Sequence, residues 1–226
     1  MRPVDKGAAP RIYTAHGDAR HDLAGQIGYY CSYCEMGVNN MIEVEHVHPT
    51  HNGGNPLDWN NFLLSCKYCN TVKNDHNLNR TNYLWPDIDN TDLAFNYSEV
   101  DVIQPRATLT GPLATYAQAT INLMGLDRKP GGVNEPTKAD TRWVLRDSVW
   151  AIAKLSYNNW IKLPQQTMAR QIGITALVGN YSIWREVFQN VPIVLDEIDN
   201  AYLTYGLFKQ YNHGTAVRVV RANGSI

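Results

Sequence analysis

The 226-residue chain has no excess of positive charge, because 20 Lys and Arg residues face 21 Asp and Glu residues and the net charge is −1. Contacts from Lys and Arg to phosphates supply most of the non-specific affinity of a protein for nucleic acid. A chain with this balance is therefore not expected to hold a nucleic acid tightly by itself.

Long apolar segments are also missing. No run approaches the ~20 apolar residues that a membrane-spanning helix needs, and no apolar stretch of the secretory type follows the opening residues. The composition, 44% hydrophobic and 18% charged, is typical of an ordered globular protein. We therefore expect a cytoplasmic protein that has no membrane partner and folds as one large domain or two small ones.

Cysteine is scarce, and its placement is informative. The four cysteines form two C-x-x-C pairs, the first with Cys31 and Cys34 and the second with Cys66 and Cys69. Four thiolates close a tetrahedral zinc site and leave no position open for chemistry. Two disulfides or unpaired core thiols are the alternatives, but a reducing compartment favours a metal. The spacing predicts a structural zinc site.

Four further polar residues lie between and just after the cysteine pairs: Glu45, His46, Asn61 and Asn70. Residues 41–46 alternate apolar and charged side chains, as a short strand does, and a loop rich in Gly and Asn follows. Residues 62–64 can pair back as a second strand, and residues 66–75 fit a short helix. A hairpin followed by a helix would bring the carboxylate, the imidazole and the last amide together.

These side chains suit the chemistry of phosphodiester hydrolysis. Mg²⁺ prefers oxygen ligands and often takes only one or two protein carboxylates. A bound ion can polarise the scissile phosphate, and neutral imidazole is well suited to accept a proton near neutral pH. The pattern therefore predicts an open site for Mg²⁺ or Mn²⁺ beside a general base, separate from the zinc site.

The segment resembles the HNH endonuclease family, whose fold is the ββα-metal finger. The matching residues run from Ile42 to Pro49, through Gly53 and Gly54, and over 61–73. Both cysteine pairs are included, as in the zinc-stapled members, and the motif covers residues 31–75, about a fifth of the chain. The opening residues and the long C-terminal part further resemble the HNH proteins found beside ATPases in retron and Septu-type anti-phage systems. That second resemblance implies a role in anti-phage defence and an ATPase protein partner.

The resemblance to the HNH family implies a role for each polar residue. His46 would be the general base that takes a proton from the attacking water. Glu45 and Asn70 would be ligands of the catalytic metal, and Asn61 would tie the loop together and orient the base. The expected substrate is nucleic acid, with double-stranded DNA as the favoured form.

Three features depart from the family pattern. Glu45 stands where the family more often has aspartate, and Asn70 stands where histidine would suit softer ions, which favours Mg²⁺ or Mn²⁺. His48 and His51 are extra imidazoles close to the site. Whether either joins the site, or both belong to the loop surface, stays open at this point.

The C-terminal part has helical patterns. We expect a helix over residues 112–124 and a second, longer helix that follows a capping box at 137–140. Three further helices are expected over 165–178, 183–191 and 192–202. Its aromatic residues fit a core. Arg142, Arg146 and Lys154 fall away from the apolar stripe of the second of these helices, where they could bind a phosphate backbone, an acidic partner or solvent.

We therefore predict an α+β protein: a zinc-stapled ββα-metal nuclease module at residues 1–85, then a mainly α-helical domain at residues 86–226 that docks a partner or the substrate. Two alternatives are a non-catalytic zinc module that binds nucleic acid or protein and a stand-alone restriction-type nuclease. The first leaves Glu45, His46 and Asn70 unexplained. The second would need a base-reading element with clustered basic residues, which we do not find.

Overall fold

The structure is a computed structural model that describes residues 1–98, 103–206, 221–222 and 224–226. Within these ranges the fold combines α-helices with two small antiparallel hairpins. The first helix, α1 (Arg20–Ile27), follows a 3-10 turn at His16–Ala19. None of the helices in the described ranges is long and apolar enough to cross a membrane.

The predicted ββα unit is present. Strands β1 (Glu43–His46) and β2 (Phe62–Ser65) pair antiparallel, with His46 opposite Phe62. Helix α2 (Lys67–Lys73) follows at once, and the Sγ atom of Cys66 caps its first turn by accepting the N–H of Cys69. The short strands and the local cap explain why the sequence pattern was sufficient to locate this unit.

A second hairpin, β3 (Phe95–Tyr97) and β4 (Ile103–Pro105), precedes the helical part. The remaining helices are α3 (Pro112–Met124), α4 (Arg142–Lys162), α5 (Gln166–Thr175), α6 (Tyr181–Val187) and α7 (Pro192–Thr204). We call residues 112–204 the helical half. Proline at the first position starts two of these helices, and Gly125, at a φ of 56°, ends α3.

Helices α5 and α7 pack together closely because Gly173 has no side chain. A Cβ atom at this position would lie 2.4 Å from the carbonyl oxygen of Glu197 on α7. Any larger residue would force the two helices apart. The sequence predicted both helices but not this contact.

The start of α4 differs from the prediction. The helix begins at Arg142, and its N-cap residue Thr141 makes no side-chain capping bond, so the predicted capping box at 137–140 is wrong. The guanidinium groups of Arg142 and Arg146 are also not on a solvated face, since these residues are 1% and 3% exposed. Ile152 on the same helix is 37% exposed, although its spacing from Leu145 and Val149 suits an apolar stripe.

One continuous apolar core runs from the ββα unit into the helical half. It includes Phe62 on β2, Trp85 in the connecting segment, and Trp184 and Tyr202 on α6 and α7, all almost fully buried. The prediction that the aromatic residues of the C-terminal part form core is therefore confirmed for Trp184 and Tyr202. The division at residue 85 stays a prediction, and the two parts pack directly against each other.

Candidate active site and cysteine cluster

The four cysteines converge on one point, which we call the cysteine cluster. Their Sγ atoms all lie within 4.8 Å of one another, and the Sγ atoms of Cys34 and Cys66 are 3.7 Å apart. A tetrahedral site with Zn–S bonds of ~2.3 Å has sulfur atoms about 3.8 Å apart. The cysteines are not in disulfides, so the cluster can hold a structural metal such as zinc.

Crowding of the thiols also favours a bound metal ion in the cysteine cluster. Hydrogen bonds from Cys31, Cys66 and Cys69, together with burial, raise the pKa of Cys34 well above its usual range. A thiolate at this position therefore needs a nearby positive charge. A divalent ion bound by all four sulfurs would supply that charge.

An open cleft of about 510 Å³ lies beside the ββα unit and is lined by Glu45, His46, Pro49, Thr50, His51, Asn70, Thr71, Asn74 and Asp75. Strand β1 supplies the glutamate and the first histidine, and helix α2 supplies the first asparagine. Three of the four predicted active-site residues thus share one cleft, which we call the active-site cleft. Within the described part of the chain, no lysine or arginine lines it.

Glu45 lies at the buried floor of the cleft, with its side chain 2% exposed. Its Oε1 atom is 2.6 Å from the Nζ atom of Lys73, and its Oε2 atom accepts a hydrogen bond from the hydroxyl of Tyr33. A carboxylate offers about four lone-pair positions, so both contacts leave lone pairs for a cation in the cleft.

Lys73 ends α2 but is buried rather than solvated. Its side chain is 1% exposed, and its Nζ atom also donates to the carbonyl oxygen of His46 at 2.8 Å. The ammonium group therefore joins the end of α2 to β1 through two consecutive residues of that strand.

Tyr33 connects the cleft to the cysteine cluster, because it lies between Cys31 and Cys34. Burial and the neighbouring charge of Glu45 raise the pKa of Tyr33 well above its usual range. The hydroxyl therefore stays protonated and acts as a donor. The first cysteine pair thus places one of the two groups that hold the carboxylate.

The His46 ring is held in one orientation. Its Nε2 atom is 3.1 Å from the carbonyl oxygen of Pro56. A carbonyl can only accept, so Nε2 carries the hydrogen and Nδ1 carries the free lone pair. The ring of Phe62 lies edge-on, with centroids 5.4 Å apart. The imidazole therefore presents a proton acceptor from a fixed position.

Asn61 lies outside the lining of the cleft and acts on the loop that follows β1. Its Oδ1 atom accepts the N–H of His48 at 2.7 Å, and its Nδ2 atom donates to the carbonyl oxygens of His48 and Asn55 at 2.9 and 3.1 Å. The residue after Asn55 is Pro56, whose carbonyl binds His46. Asn61 therefore braces the loop that holds the imidazole.

The loop itself is tightly folded. A Cβ atom on Gly54 would lie 2.0 Å from the carbonyl oxygen of His48, so only glycine fits there. The Nε2 atom of His48 is 2.9 Å from the carbonyl oxygen of Asn52, which directs this ring into the loop. His51, in contrast, lines the cleft.

The structure also brings a residue to the site that had no assigned role. The ring of His16 lies with its centroid 5.0 Å from that of His46. Burial and the neighbouring His46 lower the pKa of His16 below its usual value. No sequence signal marks this residue, since it comes from the separate 3-10 turn before α1.

Residues 31–76 match the family model described as HNH endonuclease. The matched span includes both cysteine pairs, β1, β2, α2 and the residues of the active-site cleft. No curated protein matches the chain. Together with the observed ββα order, this match establishes that the chain carries an HNH endonuclease domain at residues 31–76.

Proposed function

We propose that the protein is a metal-dependent endonuclease that hydrolyses phosphodiester bonds in DNA. The observation that carries the proposal is the convergence of a carboxylate, an imidazole and an amide in the one active-site cleft of the HNH domain. A non-catalytic zinc module needs only the cysteines. It gives no reason for Glu45, His46 and Asn70 to share a cleft.

The donor set of the cleft suits Mg²⁺ or Mn²⁺, because Glu45 and Asn70 both offer hard oxygen atoms. The Asn70 side chain is half-buried at the cleft and makes no hydrogen bond that we find among the described residues. Its oxygen is therefore available as a ligand. A bound ion would polarise the scissile phosphate and neutralise charge on the leaving oxygen.

His46 supplies the general base. The Nδ1 atom holds the free lone pair and accepts a proton from the attacking water, while the Pro56 carbonyl keeps the ring from turning. Asn61 is a positioning residue, since it braces the loop from which that carbonyl comes. Glu45 is itself positioned by Lys73 and Tyr33.

The cysteine cluster holds zinc and has a structural role. Four sulfur ligands leave no open position for water or substrate. Metal removal should therefore unfold the ββα unit rather than merely stop the reaction, because zinc binding and folding are coupled in small sites of this kind.

At physiological salt, a partner delivers the substrate. The cleft has no lysine or arginine in the described part of its lining. The nearby Lys73 forms a buried ion pair with Glu45 and does not reach the substrate side of the cleft. Few phosphate contacts imply weak binding to duplex DNA with a shallow salt dependence. The resemblance to retron and Septu-type proteins supports an ATPase as the partner and cytoplasmic anti-phage defence as the context. The helical half offers the docking surface.

Two measurements on the purified chain test this function. Micromolar protein at low salt, where weak binding is not limiting, should nick a supercoiled plasmid when Mg²⁺ or Mn²⁺ is added and not in EDTA. An intact plasmid under all these conditions would favour the non-catalytic module. A binding titration at physiological salt should give weak affinity for duplex DNA, and a nanomolar dissociation constant without any partner would favour a stand-alone nuclease.

A further inference from the structure

The cysteine cluster lies where the HNH domain meets the helical half. Glu35 directly follows the first cysteine pair, and its carboxylate accepts the N–H and the hydroxyl of Ser182 at 2.8 and 2.6 Å. The backbone oxygen of Glu35 accepts the N–H of Asn180 at 2.9 Å. The first cysteine pair is therefore docked on the start of α6.

The second cysteine pair contacts the helical half through Arg142, the first residue of α4. The Nη1 atom of Arg142 donates to the Sγ atom of Cys69 at 3.2 Å. Both residues are buried, with Arg142 only 1% exposed. A charged donor from a distant helix thus touches one of the four sulfurs directly.

Every donor of this guanidinium is used. Besides the sulfur, Nη1 donates to the carbonyl oxygen of Met124 at 2.8 Å, and Nη2 donates to that of Gly125 at 3.2 Å. Nε and Nη2 bind the two carboxylate oxygens of Asp140 at 2.8 and 2.7 Å. An arginine has five N–H groups, so the side chain is fully fixed between α2, the end of α3 and the start of α4.

Charge gives this contact a role. Four thiolates around Zn²⁺ carry a net charge of −2, and a buried net charge is costly unless a partner compensates it. An arginine that donates to a metal-bound sulfur offsets part of this charge and orients the ligand, as outer residues of metal sites commonly do. Asp140 alone would make the surroundings of the cluster more negative. The guanidinium therefore offsets the negative charge of the cluster and of the Asp140 carboxylate together.

We infer that Arg142 is an outer residue of the zinc site, so that tight zinc retention by the HNH domain depends on the helical half. This inference rests on the proposed zinc site and not on nuclease activity. Zinc then joins the two parts of the chain, since α4 and α6 each bind one of the cysteine pairs.

Arg146 offers a matched control one turn along the same helix. It is 3% exposed, and its Nη2 atom donates to the carbonyl oxygen of Arg128 at 2.7 Å. Among the described residues we find no hydrogen bond from Arg146 to a cysteine sulfur. Substitution of either arginine removes a buried guanidinium whose charge interacts with cysteines of the cluster, but only Arg142 donates a hydrogen bond to a sulfur.

The experiment measures zinc release from the full-length chain into excess chelator for wild type, Arg142→Met and Arg146→Met. Release should be about 10–100-fold faster from Arg142→Met and clearly less accelerated from Arg146→Met, which loses a charge near Cys34 but no N–H···S bond. If Arg142→Met does not fold, Arg142→Lys is compared with Arg146→Lys after Co²⁺ replaces zinc. The sulfur-to-cobalt absorption band should then shift more in Arg142→Lys than in Arg146→Lys, because only the first variant changes the group that donates to a cluster sulfur.

The outcomes distinguish the role of Arg142 from the existence of the zinc site. Equal release rates or equal cobalt spectra for the two positions would overturn the role of Arg142 and leave the zinc site standing. Wild-type protein that is purified reduced and contains no zinc would overturn the zinc site itself, and the inference with it.

Discussion

Lys73 and Glu45 form a buried ion pair beneath the active-site cleft, with Nζ and Oε1 2.6 Å apart and the side chains 1% and 2% exposed. The lysine ends α2, and the glutamate lies on β1. The pair therefore fixes the carboxylate to the helix that carries Asn70. A buried charge that loses its partner is strongly destabilising, so this pair should matter for folding as well as for the site.

Lys73→Met should lower the free energy of unfolding by about 3–5 kcal/mol, because it leaves the carboxylate buried without a counter-charge. Lys67→Met is the control. Its ammonium group is 63% exposed and 3.9 Å from Glu43, and such surface pairs contribute about 0–1 kcal/mol. Urea unfolding followed by circular dichroism measures both. Similar small losses for the two variants would show that the buried pair contributes little.

Tyr33→Phe should lower both stability and cleavage. Glu45 loses the donor to its Oε2 atom, and an unsatisfied buried acceptor costs about 1–3 kcal/mol. The carboxylate is then held on one side only, so cleavage should slow while zinc content stays unchanged. Tyr30→Phe is the matched control, since its hydroxyl donates to the carbonyl oxygen of Leu177 at 2.9 Å, away from the cleft. Loss of cleavage in both variants would argue against a specific role for Tyr33.

The local parts of the fold were predictable from sequence. Residues 41–46 alternate apolar and charged side chains, and β1 forms within them. Residues 62–64 are all apolar, and β2 begins there. The side chain of Cys66 caps the start of α2 by accepting the N–H of Cys69, three residues later. Pro112 and Gly125 bound α3 as expected. In each case neighbours in the sequence determine the structure, so a short pattern carries the information.

The long-range contacts were not predictable. Lys73 resembles a solvated lysine at a helix end until its partner on β1 is known. Arg142 and Arg146 resemble an exposed basic face because the helix period alone does not show that α4 packs against the cysteine cluster. His16 reaches His46 only through the packing of a separate turn. The clustering of Glu45, His46 and Asn70 was predictable because all three belong to the compact ββα unit.

Asn61→Ala should slow cleavage by up to about 100-fold, since small displacements of a catalytic group are that costly. The substitution removes all three hydrogen bonds that brace the loop around His48 and Asn55. Zinc content should not change. The neighbouring Asn60 is exposed, so Asn60→Ala should cleave like wild type. Normal cleavage rates by Asn61→Ala would show that the loop holds His46 without this brace.

His16 should titrate below ~6.5, the value for histidine in model peptides, because burial and then the neighbouring His46 and Arg20 lower its pKa. Imidazole NMR signals measure this titration. In His46→Gln the pKa of His16 should rise toward the ordinary value, since one source of repulsion is gone. In the wild type, the lowered pKa of His16 makes the free energy of unfolding decrease as the pH falls through ~6.5, because the unfolded chain takes up the proton first. A pKa of His16 at or above ~6.5 would contradict the observed packing.

The most direct test of the central claim compares wild type with His46→Ala in plasmid cleavage at saturating Mg²⁺ or Mn²⁺, with zinc content measured on the same preparations. His46 is assigned as the base and not as a zinc ligand. The variant should therefore keep its zinc and its fold, and its cleavage rate should fall by about 10²–10⁴-fold. Cleavage by His46→Ala at the wild-type rate would contradict the assignment of this histidine and the proposed mechanism with it.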